Sequence, residues 1–243
     1  MFLTIDLGNT NIVFGLFKGK KLVREWRFPA RPLKIPKIKD KIDAIMIASV
    51  VPSLNKDLKA AVRRRFKCRV HFVSAENIPG LKVRLRNKRE IGADRVVDAL
   101  ATYKLYGGPA VVVDFGTATT FDAVSAKGEY LGGAIAPGIV LARDVLYEQA
   151  AKLPKIKISA PKGVVGKNTE AAIRSGLVFG YVAMVEGMVG RFKRKLGKKA
   201  KVIATGGLSR LICKYTTVVD RIDLKLTLKG LRMIGEELYG RRT

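Results

Sequence analysis

The chain has little cysteine and no long apolar run, and each shortage argues against a class of protein. Cys68 and Cys213 are its only cysteines, and their spacing is unlike that of a metal site. A reducing cytoplasm is therefore the expected compartment. The longest uncharged stretch, residues 130–142, has 13 residues and contains Gly and Pro. It is too short and too interrupted to span a bilayer, so we expect no membrane association.

Acidic residues are also scarce, with 20 Asp and Glu against 47 Lys and Arg, which gives a formal net charge of +27. A protein this basic attracts polyanions, and nucleic acid is the first partner to consider. The basic clusters are scattered, however, and do not alternate with the aromatic residues that a single-strand stacking surface needs. We therefore expect a charged, solvated surface and no nucleic-acid partner. The clusters are Lys18 with Lys20–Lys21, Arg63–Arg65, Lys193–Lys195, Lys198–Lys199 and Arg241–Arg242.

Two common nucleotide-binding motifs are missing. The sequence contains no Gly-x-x-x-x-Gly-Lys-[Ser/Thr] loop and no Gly-x-Gly-x-x-Gly after a strand-like run. Their absence disfavours a P-loop enzyme and a dinucleotide-binding dehydrogenase.

An internal repeat is the most informative feature that is present. A buried strand, a turn rich in Gly and hydroxyl side chains, and a second strand occur twice, in residues 2–17 and 110–124. The turn is Asp6–Thr10 in the first copy (the first loop) and Asp114–Thr120 in the second copy (the second loop). The repeat predicts an α/β chain with two similar halves across a cleft, joined near Gly107–Gly108.

Apolar periodicity places the other motifs on predicted elements. We expect Thr169 to cap a long helix, because a hydroxyl side chain can bond the free N–H groups of a first turn. The predicted elements are a strand at 44–48, a helix at 56–66, a helix at 93–106, a helix from Thr169 to about 195, and a strand at 201–204 that leads into the turn 205–207.

Small residues form a stripe on the predicted long helix. Gly176, Gly180, Ala183 and Gly187 follow one another at steps of four, three and four, so they share one helix face and let another backbone approach closely. The stripe is compatible with packing inside the chain and with a helix-pair contact in a homodimer.

The two loops have the chemistry of phosphate binding. Glycines in a strand-to-strand turn leave backbone N–H groups open to an anion. The carboxylate at the strand end, Asp6 in the first loop, can hold a hydrated Mg²⁺ that bridges phosphate oxygens. The second loop offers Thr117, Thr119 and Thr120 in the same position. Together the loops predict a site for the polyphosphate of ATP.

The order of seven motif blocks resembles the superfamily of acetate and sugar kinases, heat-shock ATPases and actin, and more closely the type III pantothenate kinases. The resemblance implies two ribonuclease-H-like (actin-like ATPase) domains, 1–108 and 109–243, with a central cleft. It implies a homodimer that phosphorylates pantothenate to 4′-phosphopantothenate with ATP, the first step of coenzyme A biosynthesis. The blocks are Asp6–Thr10, Ala48–Pro52, Gly92–Arg95, Asp114–Thr120, Gly132–Gly138, Gly166–Thr169 and Ala204–Gly207.

The resemblance also implies roles for individual residues. Asp94 matches the catalytic base that takes the proton of the acceptor hydroxyl, and Arg95 matches a group that binds the anionic acceptor. Gly92, Ala93 and Thr169 complete the implied pantothenate site.

On the nucleotide side, the resemblance implies that Asp6 holds Mg²⁺ through water and that Asp114 binds a monovalent cation, K⁺ or NH₄⁺. Asp122, beside the second loop, is interpreted as structural. The remaining implied ATP contacts are Leu7, Gly8, Asn9, Thr10, Asn11, Ile12, Val13, Thr117, Gly206 and Gly207.

The sequence departs from the family pattern just before Gly92. Members commonly carry a Tyr and a Pro at the places that spacing assigns to Leu85 and Lys88. This departure leaves two alternatives open: a kinase of the same fold for another hydroxy acid or a sugar, and a non-enzymatic relative that binds nucleic acid or regulates.

Overall fold

The computed structural model describes residues 1–240 and divides into two compact units. Unit 1 comprises residues 1–105 and the described residues from Lys225 onward, and unit 2 comprises residues 106–224. The sequence placed the join two to three residues later and assigned the whole of 109–243 to the second half. The basic pair Arg241–Arg242 lies outside the described residues.

The C-terminal helix accounts for the main difference from that division. Leu226–Tyr239, the sixth helix of the chain (α6), packs on the sheet of unit 1. A Cβ added to Gly235 would lie 3.0 Å from Met46 Cγ, and one added to Gly230 would lie 2.7 Å from a Val97 methyl carbon. Helical periodicity shows that α6 has a buried face, but it cannot tell which of two similar sheets receives that face.

The sheet of unit 1 has five strands in the order β3-β2-β1-β4-β5. The first three form an antiparallel meander, and β4 and β5 run parallel to β1. Every residue of β4 except its last is buried, as expected of a central strand covered on both faces. The elements of this unit are β1 (Phe2–Leu7), β2 (Asn11–Lys18), β3 (Lys21–Pro29), β4 (Ala44–Ser49), α1 (Pro52–Phe66), β5 (Arg69–Phe72), β6 (Lys82–Val83), a 3₁₀ turn (Lys88–Glu90), α2 (Ala93–Tyr106) and α6.

The sheet of unit 2 repeats this plan. Strands β9, β8 and β7 form an antiparallel meander, and β10 and β11 run parallel to β7. The order β9-β8-β7-β10-β11 corresponds strand for strand to β3-β2-β1-β4-β5, so the predicted structural repeat is confirmed. The elements are β7 (Ala110–Phe115), β8 (Ala118–Val124), β9 (Glu129–Pro137), α3 (Ile139–Gln149), α4 (Thr169–Leu196), β10 (Lys201–Thr205), α5 (Ser209–Ile212) and β11 (Arg221–Ile222).

The predicted helices are present, with corrections at two starts. Helix α2 has the predicted bounds, whereas α1 begins at Pro52 rather than at 56, because proline is well suited to a first helical turn. The cap of α4 is Asn168, whose side chain accepts a hydrogen bond from the Ala171 N–H at 2.9 Å. Thr169 is the first helical residue, so the prediction that it caps α4 was wrong.

Helix α4 is long and apolar enough to cross a membrane by length and composition alone. It has 28 residues and a mean hydropathy of 1.3 over its most apolar window. The core helix of a soluble protein passes the same test, and α4 contributes Val178, Val182, Val185 and Val189 to the core of unit 2. The search of the sequence for long uncharged stretches did not find α4, because charged residues interrupt this helix.

Candidate active site

The first loop is a tight connection between β1 and β2. Asp6 pairs with Val13 at the strand ends, and the Gly8 N–H donates to the Asn11 carbonyl at 2.9 Å. Asn9 and Thr10 are exposed at the tip. The sequence also named Leu7, Ile12 and Val13 as nucleotide contacts, but these side chains are buried in the core. Their side chains are therefore not exposed to a ligand.

The Asp6 carboxyl is in an unusual electrostatic setting. Burial, and then the negative charge of Asp94, raise its pKa from 3.8 to about 7, while the positive charge of Arg27 lowers it. Arg27 pairs with Val13, which pairs with Asp6, so all three side chains share one face of the sheet. Sequence reasoning gave Arg27 no role, because a lone basic residue on a strand carries no distinctive signal.

Asp94 lies in the first turn of α2, beside the end of β4. Its carboxylate accepts a hydrogen bond from the Arg95 N–H at 2.8 Å. A Cβ on Gly92 would lie 2.5 Å from Asp94 Oδ1 and 3.3 Å from Val50 Cγ1, so only glycine fits there without a shift of its neighbours. Val50 in turn donates its N–H to the Leu7 carbonyl at 3.0 Å. Three blocks that are distant in sequence therefore meet in unit 1.

The second loop is built in the same way in unit 2. The Gly116 N–H donates to the Ala118 carbonyl at 3.0 Å, and Asp114 pairs with Thr205 of the neighbouring strand. Gly206, just after Thr205, has φ +88°, and a Cβ there would lie 2.6 Å from Phe115 N and would also collide with the Asp114 carboxylate. The late Thr-Gly-Gly turn and the second loop thus form one surface.

Helix α3 begins against the second loop, a feature that the sequence did not predict. Gly138 precedes α3 and donates its N–H to the Thr117 carbonyl at 3.0 Å, and a Cβ on Gly138 would lie 2.6 Å from the Gly116 carbonyl oxygen. The start of α3 has no side-chain cap, so the usual sequence signal of a helix start was missing.

The remaining predicted site residues are less closely packed. Thr169 is exposed at the start of α4, and Gly207 is exposed, with no atom within 4 Å of an added Cβ. Leu85 is half-buried, and Lys88 is exposed at the start of the 3₁₀ turn.

Asp122 is held inside unit 2. It is buried and accepts hydrogen bonds from the Tyr130 hydroxyl at 2.7 Å and the Thr120 hydroxyl at 3.2 Å. These contacts support the interpretation that Asp122 is structural.

Similarity to known proteins agrees with this geometry. The chain is 44% identical over 252 residues to the type III pantothenate kinase of Moorella thermoacetica, covering 97% of this chain and 99% of that one. A Baf-family protein from Campylobacter jejuni has a similar structure, with a TM-score of 0.67, 20% identity and coverage of 98% and 99%. An inorganic polyphosphate/ATP-glucomannokinase from Arthrobacter matches with a TM-score of 0.52, 14% identity and coverage of 97% and 98%.

The two structural matches show that the chain has the α/β fold of the acetate and sugar kinases, heat-shock ATPases and actin, with two ribonuclease-H-like domains. The protein-family sequence model for type III pantothenate kinases matches residues 2–191. The chain therefore belongs to the type III pantothenate kinase family.

Proposed function

We propose that this enzyme transfers the γ-phosphoryl group of ATP to the primary hydroxyl of pantothenate, which yields ADP and 4′-phosphopantothenate in the first step of coenzyme A biosynthesis. Family membership over nearly the whole chain is the main support. The chemistry agrees with it, because each unit presents a glycine-containing strand-to-strand turn with an aspartate at the strand end.

Asp94 is the proposed general base for the acceptor hydroxyl. A base in phosphoryl transfer depends chiefly on correct placement, since positioning and charge provide most of the stabilisation. Asp94 has a fixed position at the start of α2, with Gly92 packed directly against its carboxylate. Arg95, next in the chain, is proposed to bind the carboxylate of pantothenate, which suits a guanidinium. Gly92 and Ala93 contribute their main chain, and Thr169 is the proposed further contact.

The two loops are proposed to bind the phosphates of ATP. Residues 6–13 contribute mainly backbone N–H groups and the exposed side chains of Asn9 and Thr10. Thr117 is proposed to contact the nucleotide from the second loop. Gly206 and Gly207 are proposed to lie beside the adenosine, and the open space around Gly207 leaves room for a flat ring.

The residues present fit the two cations that the family implies. No group of three or more His, Cys, Asp or Glu side chains within residues 1–240 could hold a metal alone. Mg²⁺ in such enzymes is bound by one or two carboxylates together with water and phosphate oxygens, and Asp6 offers such a carboxylate, through water. Asp114 would hold the monovalent cation, K⁺ or NH₄⁺. When bound, these cations neutralise the negative charge of the phosphates.

A homodimer is proposed from the exposed faces of unit 2. Gly176 and Gly180 on α4 are exposed, and a Cβ on either would meet no atom within 4 Å. Packing inside the chain therefore does not explain these two glycines. Helix α3 also exposes several large apolar side chains, which favours association. They are Val140, Leu141, Val145, Leu146 and Tyr147.

The proposed compartment is the cytoplasm, with ATP and pantothenate as small-molecule partners and without a membrane or nucleic-acid partner. The departures at Leu85 and Lys88 favour one alternative, a kinase of the same fold for a different hydroxy acid or a sugar.

An ADP-release assay with ATP, Mg²⁺ and K⁺ tests these proposals together. We expect turnover with pantothenate and formation of the phosphorylated acid by mass spectrometry. A panel of other hydroxy acids and sugars should give far lower kcat/KM. Turnover with a panel member but not with pantothenate would replace the proposed acceptor, and failure with every acceptor would contradict the proposed reaction.

A further inference from the structure

A cavity of about 400 Å³ lies in unit 2 at the edge of the sheet opposite the second loop. It is formed where α4 ends and β10 and β11 begin. Strand β10 starts at this edge with Lys201 and ends with Thr205, which pairs with Asp114. At a rise of about 3.3 Å per residue, Lys201 and Thr205 are about 13 Å apart. We call the cavity the basic pocket; its lining is Tyr106, Lys193, Lys198, Lys199, Ala200, Lys201, Ile203, Asp220 and Arg221.

The basic pocket carries a large excess of positive charge. Five of its nine lining residues are Lys or Arg and one is acidic. That residue, Asp220, accepts a hydrogen bond from the Val202 N–H at 2.7 Å. In residues 1–240, none of the ion pairs involves Lys193, Lys198, Lys199 or Arg221. An anionic ligand would relieve their mutual repulsion.

The remaining lining residues form a partly apolar wall with fixed polar groups. Ala200 and Ile203 are buried. The Tyr106 hydroxyl donates to Asp223 at 2.7 Å, and burial raises the pKa of Tyr106 to about 12, so it stays neutral at physiological pH. The Lys201 ammonium donates to the Tyr106 carbonyl. The wall is thus held in place, while the cations at the rim are available to a ligand.

The chemistry of the rim suits phosphate groups. A guanidinium binds a phosphate through two parallel hydrogen bonds, and ammonium groups bind it as point charges. A single carboxylate could balance only one of these cations, whereas a di- or triphosphate carries several negative charges. The cavity volume falls in the range of small-molecule sites. Tyr106 is the only aromatic ring in the lining, so the pocket lacks the succession of rings that stacks single-stranded nucleic acid.

We propose that the basic pocket binds a small polyphosphate anion, at a site separate from the two loops that bind the phosphates of ATP. Inorganic polyphosphate and the polyphosphate of a nucleotide share the chemistry that the rim recognises. This proposal is independent of the identity of the acceptor at Asp94.

The experiment first saturates the two loops with a Mg²⁺-bound, non-hydrolysable ATP analogue. Calorimetric titration with tripolyphosphate then tests whether the basic pocket binds a polyphosphate. We expect one further binding site per chain. The double variant Lys198→Gln/Lys199→Gln should bind at least about tenfold more weakly, since it removes two charge-assisted contacts to the anion. The matched control is Lys18→Gln/Lys20→Gln, which removes the same charge from exposed positions in unit 1 and should bind within twofold of the unmodified chain. Kinase turnover should be unchanged in both variants.

Three outcomes would overturn the proposal. The first is that tripolyphosphate does not bind when the analogue occupies the loops. The second is that both double variants lose affinity for tripolyphosphate equally. The third is that tripolyphosphate does not bind but a 20-nucleotide single strand binds tightly through Lys198 and Lys199. A parallel titration with ADP distinguishes the two sources. Tighter binding of ADP than of tripolyphosphate supports a nucleotide, and the reverse order supports inorganic polyphosphate. Absence of tripolyphosphate binding to the unmodified chain, with intact kinase turnover, would refute this proposal alone.

Discussion

The two loops share one strand plan but differ in what surrounds their aspartates. Asp6 lies near a second carboxylate, Asp94, and its pKa is raised to about 7. Asp114 is covered instead by the backbone of the turn at Gly206. The comparison shows how a repeated fold can divide two tasks. The first loop brings two carboxylates near each other, and the second loop builds a close-packed surface from main chain.

The largest expected effect comes from removing the carboxylate of Asp94, whose charge raises the pKa of Asp6 in the first loop. We expect Asp94→Asn to lower kcat by about 10²- to 10⁴-fold, the usual contribution of a general base, with little change in ATP binding. Steady-state kinetics and equilibrium nucleotide binding measure the two effects separately. Equal activity in the variant would contradict the assignment of Asp94 as the base.

The second prediction concerns the packing that only the second loop has. Gly206→Ala should destabilise the protein by about 1–3 kcal/mol, the usual cost of a residue held at an unfavourable backbone angle, and by more if the contact with Phe115 cannot relax. It should also raise the KM for ATP. Gly207→Ala is the matched control, because an added Cβ there meets no atom within 4 Å. Thermal melts in which the two variants behave alike would refute the packing argument.

The third prediction uses the raised pKa of Asp6. The folded chain holds the proton of this carboxyl to about pH 7, whereas the unfolded chain loses it near pH 3.8. The folded state therefore binds more protons between these values, so this group makes the protein less stable as pH rises through that range. Asp6→Asn should raise the melting temperature of the ligand-free protein at pH 8 and have little effect near pH 4.

The stabilised Asp6→Asn variant should also lose most Mg²⁺-dependent ATP binding, a trade of stability against function that is common at active sites. A melting temperature that does not rise at pH 8 would show that the carboxyl pair is not under strain in the folded protein.

The smallest effect is expected at Arg27. Its positive charge lowers the pKa of Asp6, so Arg27→Gln should move the pH dependence of ATP binding to higher pH by a fraction of a unit. Arg24→Gln, on the same strand and also exposed, is the matched control. ATP affinity measured between pH 6 and 8 tests this prediction, and identical profiles for both variants would exclude a role for Arg27.

Local sequence patterns predicted much of the fold. The repeat at Asp6 and Asp114 predicted two similar sheets, and helix α2 was predicted with its observed bounds. Asn168 was missed as the cap of α4, because asparagine and threonine are both good caps and stand next to each other. Helix α3 was missed because no capping side chain marks its start.

The sequence by itself determined the motif order, which identified the family and indicated the residues that are proposed to bind phosphate. Only the tertiary structure decided which residues surround each aspartate. Three contacts join residues that are about 90 to more than 200 positions apart in the sequence. They are the approach of Asp94 to Asp6, the packing of Gly206 on Asp114, and the packing of α6 on the sheet of unit 1. Such contacts depend on strand order and packing, which local propensity does not encode. The basic pocket illustrates the same limit: its lysines are neighbours in the sequence, but only the folded sheet brings Tyr106, Asp220 and Arg221 to them.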